Sequence, residues 1–225
     1  MIVCLNHGYA FIHIPRTGGI SITTALAHAC GGHACIDAFS RRHAVAGGIA
    51  YELPCWSQLY RFAVIRSPWD VIASDWRLVH HSLKTYHREA IQWPGWSQRL
   101  ERVRPMSFDE FVRVEWLGEW PLDGGLWRTW CTGNGRDLGV QPILFSELRD
   151  RWRELCRRIG VMTLPLPREN GVTSGPPANW TRDLSEAVGY KFREDVERFG
   201  FEPPATVSRP ITQGGDHEPG MACTK

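Results

Sequence analysis

Residues Tyr9 to Leu26 read YAFIHIPRTGGISITTAL, which predicts a buried strand, a tight loop and a helix in immediate succession. The first six residues are almost all apolar, as expected of a parallel strand that is covered on both faces. Pro15 ends the strand, and the glycines at 18 and 19 permit backbone conformations that turn several N–H groups toward one point. The helix that follows, through Ala29, directs the positive end of its dipole at that point. Residues 16 to 22 are therefore predicted to form an anion-binding loop.

The basic residue of this loop narrows the choice of ligand. Arg16 carries a permanent charge on a planar fork of N–H groups, which suits phosphate or sulfate oxygens. The spacing G-x-x-x-x-G-K-[ST] of nucleoside triphosphate loops is absent, because the basic residue precedes the glycines instead of following them. A nucleoside triphosphate is therefore not the first expectation.

A second strand-to-helix junction lies between residues 61 and 77, which read RFAVIRSPWDVIASDWR. The apolar residues 62 to 65 predict a buried strand, and Ser-Pro-Trp-Asp then begins a helix with a capping serine and a proline at its first position. Arg66 is thus placed at the carboxyl end of a strand, where open α/β sheets bind their ligands. Ser74 follows about two helical turns later, on the side that can turn back toward Arg66.

The two junctions together resemble sulfotransferases that use 3′-phosphoadenosine 5′-phosphosulfate (PAPS) as the sulfuryl donor. P-R-T-G-G-x-S is similar to the 5′-phosphosulfate loop of that family, usually H-I-P-K-T-G-G-T-S, and R-x-P-x-D-x-x-x-S is similar to its 3′-phosphate motif. F-S-E-L at 145 to 148 and Y-K-F-R-E-D-V-E-R-F-G-F at 190 to 201 resemble two further family elements, R-F-E-D-L and Y-x-x-D-F-E-x-F-G-Y. The resemblance implies that PAPS contacts the following residues: Arg16, Thr17, Gly18, Gly19, Ile20, Ser21, Ile22, Arg66 and Ser74.

The resemblance also implies catalytic roles. His43, in R-R-H-A-V-A-G-G-I, resembles the H-A-T-A segment in which the family places a histidine near the acceptor hydroxyl, so we expect it to be the general base. Glu52, His80 and His81 are alternative bases. Arg16 occupies the place of the usual lysine and is expected to stabilise the charge on the leaving oxygen, although a guanidinium is a poor proton donor. Ile20 replaces the usual threonine.

Asn170 lies in a loop that is rich in Pro and Gly and partly matches the family segment that folds over the nucleotide. The resemblance therefore implies that Asn170 binds the nucleotide as well. No ligand spacing predicts a metal, and sulfuryl transfer does not require one.

The overall pattern predicts a single α/β domain over residues 1–201 and a disordered tail over residues 202–225. The expected fold is P-loop-like and has three layers, with a central, mainly parallel sheet flanked by helices. Its last helix is expected to be capped by Asp183 with Glu186 and to end at Gly200.

Composition excludes several classes of partner. The chain has 225 residues and a formal net charge of +2, which is too small to favour nucleic acid or a membrane surface as the main partner. No apolar run approaches the ~18 residues of a membrane span. The seven cysteines include no C-x-x-C pair, which favours reduced thiols and a cytoplasmic location.

The acceptor is the least determined part of the reaction. A carbohydrate or a small ring-containing metabolite is favoured, while a phenol, a lipid headgroup and a peptide tyrosine stay open. A run of tryptophans predicts either a closed core at the sheet edge or an aromatic wall of the acceptor pocket. These residues are Trp93, Trp96, Trp116, Trp120, Trp127 and Trp130.

Two other functions are alternatives to sulfuryl transfer. A protein that binds PAPS or its product 3′-phosphoadenosine 5′-phosphate (PAP) with weak or no catalysis is favoured by Arg16 and Ile20. A P-loop-type small-molecule kinase is disfavoured, because neither the lysine-bearing loop nor a Mg²⁺-holding aspartate at a strand end is evident.

Overall fold

The computed structural model describes residues 1–29, 43–85, 95–118, 124–167 and 177–206. The elements follow one another in this order: β1 (Ile2–Cys4), β2 (Tyr9–Ile12), α1 (Gly19–Ala29), α2 (Ala46–Glu52), β3 (Tyr60–Ile65), α3 (Pro68–Thr85), α4 (Trp96–Val103), α5 (Phe108–Phe111), α6 (Leu126–Cys131), β4 (Thr132–Gly133), β5 (Arg136–Asp137), β6 (Gln141–Leu144), α7 (Leu148–Arg158), α8 (Arg182–Lys191) and α9 (Arg193–Phe199). A 3₁₀ turn covers Trp56–Gln58, and a π-helix covers Val112–Gly118.

The main sheet has four strands in the order β1-β2-β3-β6. β2 pairs with β3, and β3 with β6, in parallel, whereas β1 pairs with β2 antiparallel. Ile12 lies opposite Ala63, and Ile65 lies opposite Leu144. The carboxyl ends of the three parallel strands therefore meet at one edge of the sheet.

Helices bury both faces of this sheet. Successive residues of a strand point to opposite faces, and in β2 both sets are fully buried. Tyr9 and Phe11 pack in a core with residues of α1 and α7. Ala10 and Ile12 pack in a second core with residues of α2, α3 and α8. This arrangement explains the unbroken apolar run and confirms the prediction of an α/β fold with a sheet flanked by helices.

The described tryptophans of the middle segment belong to the core or pack against it. Trp116, Trp127 and Trp130 are only 1%, 3% and 6% exposed, and Trp96 packs against the same core. Trp93 and Trp120 lie outside the described residues. Among the described tryptophans, core closure is therefore the better of the two interpretations.

A buried ionic network joins α3, α4 and the π-helix. Arg99 donates from Nη2 to Asp75 Oδ2 and from Nε to Glu115 Oε2, each at 2.6 Å. Arg102 donates to the other oxygen of Glu115 at 2.6 Å. Burial lowers the pKa of Arg99, but its bonds to the two carboxylates outweigh burial and raise that pKa above its ordinary value. The network fixes the turn of α3 that carries Asp75 and its neighbour Ser74.

The C-terminal part differs from the prediction in two ways. The single expected helix is divided into α8 and α9, which meet at Phe192, where the backbone leaves helical geometry (φ −103°, ψ 23°). Thr181 caps α8 by accepting from Leu184 N, whereas Asp183 lies in the first helical turn. Gly200 ends α9 as expected, with a left-handed φ of 66°.

Other predictions concern residues of which the structure describes only a part. The domain boundary at residue 201 stays a prediction, and residues 207–225 of the expected tail lie outside the described residues. Among the residues described, no helix combines the length and the apolar character needed to cross a bilayer. Among the described cysteines, Cys55, Cys131 and Cys156 are free thiols. The cytoplasmic location stays a prediction.

Candidate anion-binding site

The two predicted anion-binding elements leave the sheet at the same edge. β2 leads into the anion-binding loop and α1, and β3 leads directly into Arg66 and α3. Because β2 and β3 are parallel neighbours in register, the residues that follow them are brought together. Open α/β sheets bind ligands at this kind of edge.

Arg16 and Ser74 connect the two elements directly. The Nη2 group of Arg16 donates to the Ser74 hydroxyl at 2.7 Å and to the Ser74 carbonyl oxygen at 3.1 Å. The two residues are 58 positions apart in the chain. The contact therefore joins the two sequence motifs into one site.

The anion-binding loop contains a left-handed residue that is not one of its two glycines. Arg16 has a φ of 66° and Gly18 a φ of 82°. The left-handed conformation costs a non-glycine residue about 1–2 kcal/mol, and such strain is found most often at functional sites. Gly19 already belongs to α1, and its role is different, because a Cβ there would come within 1.9 Å of the His13 ring.

Some loop residues offer only their backbone to a ligand. The Thr17 side chain is fully buried and donates to the Ile14 carbonyl at 2.8 Å. The Ile22 side chain is fully buried in the core with α7. Ile20 and Ser21 are partly exposed. The Ile22 N–H donates to the Gly18 carbonyl at 3.3 Å, whereas the N–H groups before it in α1 have no carbonyl partner within the helix.

Positive charge is concentrated at this edge. Burial lowers the pKa of Arg16; the charge of Asp75 opposes this shift, and repulsion from Arg66, Arg99 and Arg77 adds to it. Burial likewise lowers the pKa of Arg66, with Asp70 opposing and Arg77 adding to the shift. Cations that are partly desolvated and repel one another are stabilised by a bound anion.

Arg16 and Arg66 each have an N–H group on Nε that makes no hydrogen bond to the described residues. Arg16 Nε is buried and has no hydrogen-bond partner among the described residues. Arg66 Nε lies 3.6 Å from Asp70 Oδ2, which is an ion pair slightly longer than a hydrogen bond. Both guanidinium groups therefore keep capacity for further acceptors.

His43 lies against His13, which precedes the anion-binding loop. Its Nδ1 is 3.2 Å from the carbonyl oxygen of His13, and the two imidazole centroids are 4.7 Å apart. The His13 ring in turn packs on Gly19. When Nδ1 donates to that carbonyl, the neutral imidazole presents Nε2 as its proton acceptor. Of the alternative bases, His80 packs on the Trp76 ring, with centroids 3.8 Å apart, and Glu52 ends α2.

A cavity of about 330 Å³ lies beside α2, and the motifs did not predict it. The sequence signal that could have found it is Gly-Asn-Gly at 133–135, a typical hairpin turn, in which Asn134 adopts a φ of 50°. The cavity walls are formed by Val45, Gly47, Gly48, Arg128, Thr129, Thr132, Gly133, Asn134 and Gly135.

Asn170 lies outside the described residues. Within the described ranges, no three His, Cys, Asp or Glu side chains cluster as a metal site would require. Comparisons with protein families, with curated proteins and with solved structures found no match to this chain.

Proposed function

We propose that the protein is a sulfotransferase that moves a sulfuryl group from PAPS to a hydroxyl acceptor and releases PAP. The observation that carries the proposal is the contact between Arg16 and Ser74. It joins two motifs that resemble the two PAPS-binding motifs, at the sheet edge where such ligands bind. A P-loop-like classification of the fold is part of the same proposal.

The nucleotide would use the two halves of the site for its two anionic groups. The anion-binding loop faces the 5′-phosphosulfate with Arg16 and with the N–H groups at the start of α1. Arg66 and Ser74 face the 3′-phosphate. The mutual repulsion of Arg16 and Arg66 supports this division, because a ligand with two separated anionic groups neutralises both cations.

The transfer step needs a base and a stabiliser for the leaving group. His43 Nε2 takes the proton of the acceptor hydroxyl while that oxygen forms a bond to sulfur. The bond between sulfur and the 5′-phosphate oxygen breaks, and its electron pair stays on the phosphate oxygen. Arg16 and the N–H groups of the anion-binding loop stabilise this growing charge, by analogy with phosphoryl transfer.

The cavity beside α2 is the proposed acceptor site. Val45 lines it and follows His43 by two residues, a chain length of at most about 7 Å. Threonines, Asn134 and glycine backbone dominate its walls, which favours a hydroxyl-bearing ligand. At about 330 Å³ its size lies at the lower end for ligand pockets, which favours a compact acceptor.

The nucleotide assignment is tested by calorimetric titration with PAP and with adenosine 5′-phosphate. We expect Ser74→Ala to weaken PAP binding by roughly 10- to 150-fold, because a hydrogen bond to a charged group is lost, and to change adenosine 5′-phosphate binding little. Ser57→Ala is the matched control, since Ser57 is exposed and precedes β3 at the opposite end of the strand. Equal binding of PAP and ATP by the unaltered protein would contradict the 3′-phosphate site and favour the kinase alternative.

Catalysis is tested with radiolabelled PAPS and a panel of hydroxyl acceptors. We expect His43→Ala to lower turnover by about 10²- to 10⁴-fold, the usual contribution of a general base, and to leave PAP affinity unchanged. His28→Ala is the control, because His28 is exposed near the far end of α1. A protein that binds PAP tightly and transfers sulfate to none of the acceptors would instead be a binding protein.

A further inference from the structure

Phe145 is the first residue after β6, at the sheet edge that carries the anion-binding site. Its backbone N–H donates to the carbonyl oxygen of Ile65 at 2.8 Å, one residue before Arg66. The side chain is 38% exposed, which is unusual for a large apolar residue beside buried strands. Pairing with β3 therefore fixes the backbone position of Phe145, although its side chain is not fully buried.

The Phe145 ring contacts both halves of the site. The guanidinium carbon of Arg66 lies 4.6 Å from the ring centroid, within the range of a cation–π contact. The ring also packs against Gly18, where a Cβ would lie 3.0 Å from Phe145 Cε2. Gly18 is thus required both by its left-handed φ of 82° and by the space that the ring occupies. One ring therefore contacts both Arg66 and the anion-binding loop.

Two groups orient the Arg66 side chain. Asp70 lies near the edge of the guanidinium, with its Oδ2 3.6 Å from Nε. Phe145 covers a face of the same group, and the negative face of an aromatic ring stabilises a cation that is partly withdrawn from water. Asp70 is 61% exposed, so its attraction is screened by solvent. We therefore expect the Phe145 ring to orient the Arg66 guanidinium more strongly than Asp70 does.

We propose that Phe145 is a positioning residue that fixes Arg66 relative to the anion-binding loop and thereby selects nucleotides with two anionic groups over those with one. This inference rests on the proposed function, because it takes Arg66 as the group that binds the second phosphate. In this proposal Phe145 does not contact the sulfuryl group that is transferred and acts only through Arg66.

The test measures the ratio of the dissociation constants for adenosine 5′-phosphate and PAP by calorimetric titration. Phe145→Leu removes the ring but keeps an apolar side chain, and we expect it to lower this ratio between about 2- and 30-fold. Phe145→Tyr keeps the ring and has a route to solvent for its hydroxyl, so its ratio should stay within about twofold of the original value. Phe145→Met, unbranched and of similar volume, replaces the leucine variant if that variant does not fold.

An Arg66→Gln background shows whether Phe145 acts through Arg66. In that background the added Phe145→Leu change should leave the ratio unaltered. Equal weakening of both ligands by Phe145→Leu, or an unchanged ratio, would overturn the inference and leave the proposed function standing. An unaltered protein with no preference for PAP would contradict the proposed function itself.

Discussion

The stability of this protein should depend on pH through Asp195. This side chain, on α9, is 1% exposed and accepts from the backbone N–H groups of Leu126 and Trp127 at 2.5 and 3.0 Å. It therefore caps the start of α6, the helix that supplies one wall of the cavity. Burial raises the pKa of Asp195 from 3.8 to about 6, with its two backbone hydrogen bonds opposing that shift.

The sign and size of the effect follow from this shift. Between pH 4 and about 6 the folded protein holds a proton on Asp195 that the unfolded chain releases. The free energy of unfolding therefore falls as the pH rises through this window, and the contribution is constant above it. A shift of about 2 pKa units corresponds to a loss of about 3 kcal/mol.

The assay is urea unfolding, followed by tryptophan fluorescence at intervals between pH 4 and 7. Asp195→Asn cannot titrate, so the stability of the unaltered protein relative to this variant should fall by about 3 kcal/mol across the window. Glu197→Gln is the matched control, because Glu197 is an exposed carboxylate on the same helix. Its curve should keep the slope of the unaltered protein. Parallel curves for the unaltered protein and Asp195→Asn would refute the reasoning.

Two further predictions concern stability at fixed pH. Arg16→Ala and Arg16→Gly should lose PAP affinity equally, but the glycine variant should be more stable by about 1 kcal/mol, because Arg16 has a φ of 66°; the reverse order in urea unfolding would count against backbone strain. Glu115→Ala should cost about 3 kcal/mol, since two arginines lose a carboxylate that is 1% exposed. Asp109→Ala, which breaks the exposed pair with Arg113, should cost less than about 1 kcal/mol in the same assay.

The two strand-to-helix junctions could be predicted because the residues that specify them are adjacent in the sequence. An apolar run followed by Pro15 and two glycines specifies a strand, a turn and a helix start within about ten residues. The same holds for the strand before Arg66. β1 has no such signal, because its three residues become a strand only by pairing with β2. The division between α8 and α9 at Phe192 was missed for a similar reason, since the apolar spacing continues across it.

The two motifs of the candidate site were predicted to bind one nucleotide, but the direct contact between them was not predicted. The contact between Arg16 and Ser74 depends on the pairing of β2 with β3, which are about fifty residues apart in the chain. The position of Phe145 against Gly18 likewise depends on the pairing of β3 with β6. Neither pairing leaves a pattern in the residues that contact each other. Composition left open whether the tryptophans close the core or line an acceptor pocket, and the described ones belong to the core.

The geometry gives a reason for arginine at position 16, where the proposed family usually has lysine. Holding Ser74 requires two hydrogen bonds, and both come from the single Nη2 group of Arg16. A lysine ammonium that made the same two bonds would have one N–H left, on the same nitrogen. A guanidinium keeps Nη1, a separate nitrogen with two N–H groups, for a ligand. Arginine can therefore hold the two motifs together and still bind a phosphosulfate, and the departure from lysine is compatible with charge stabilisation as its role in the proposed reaction.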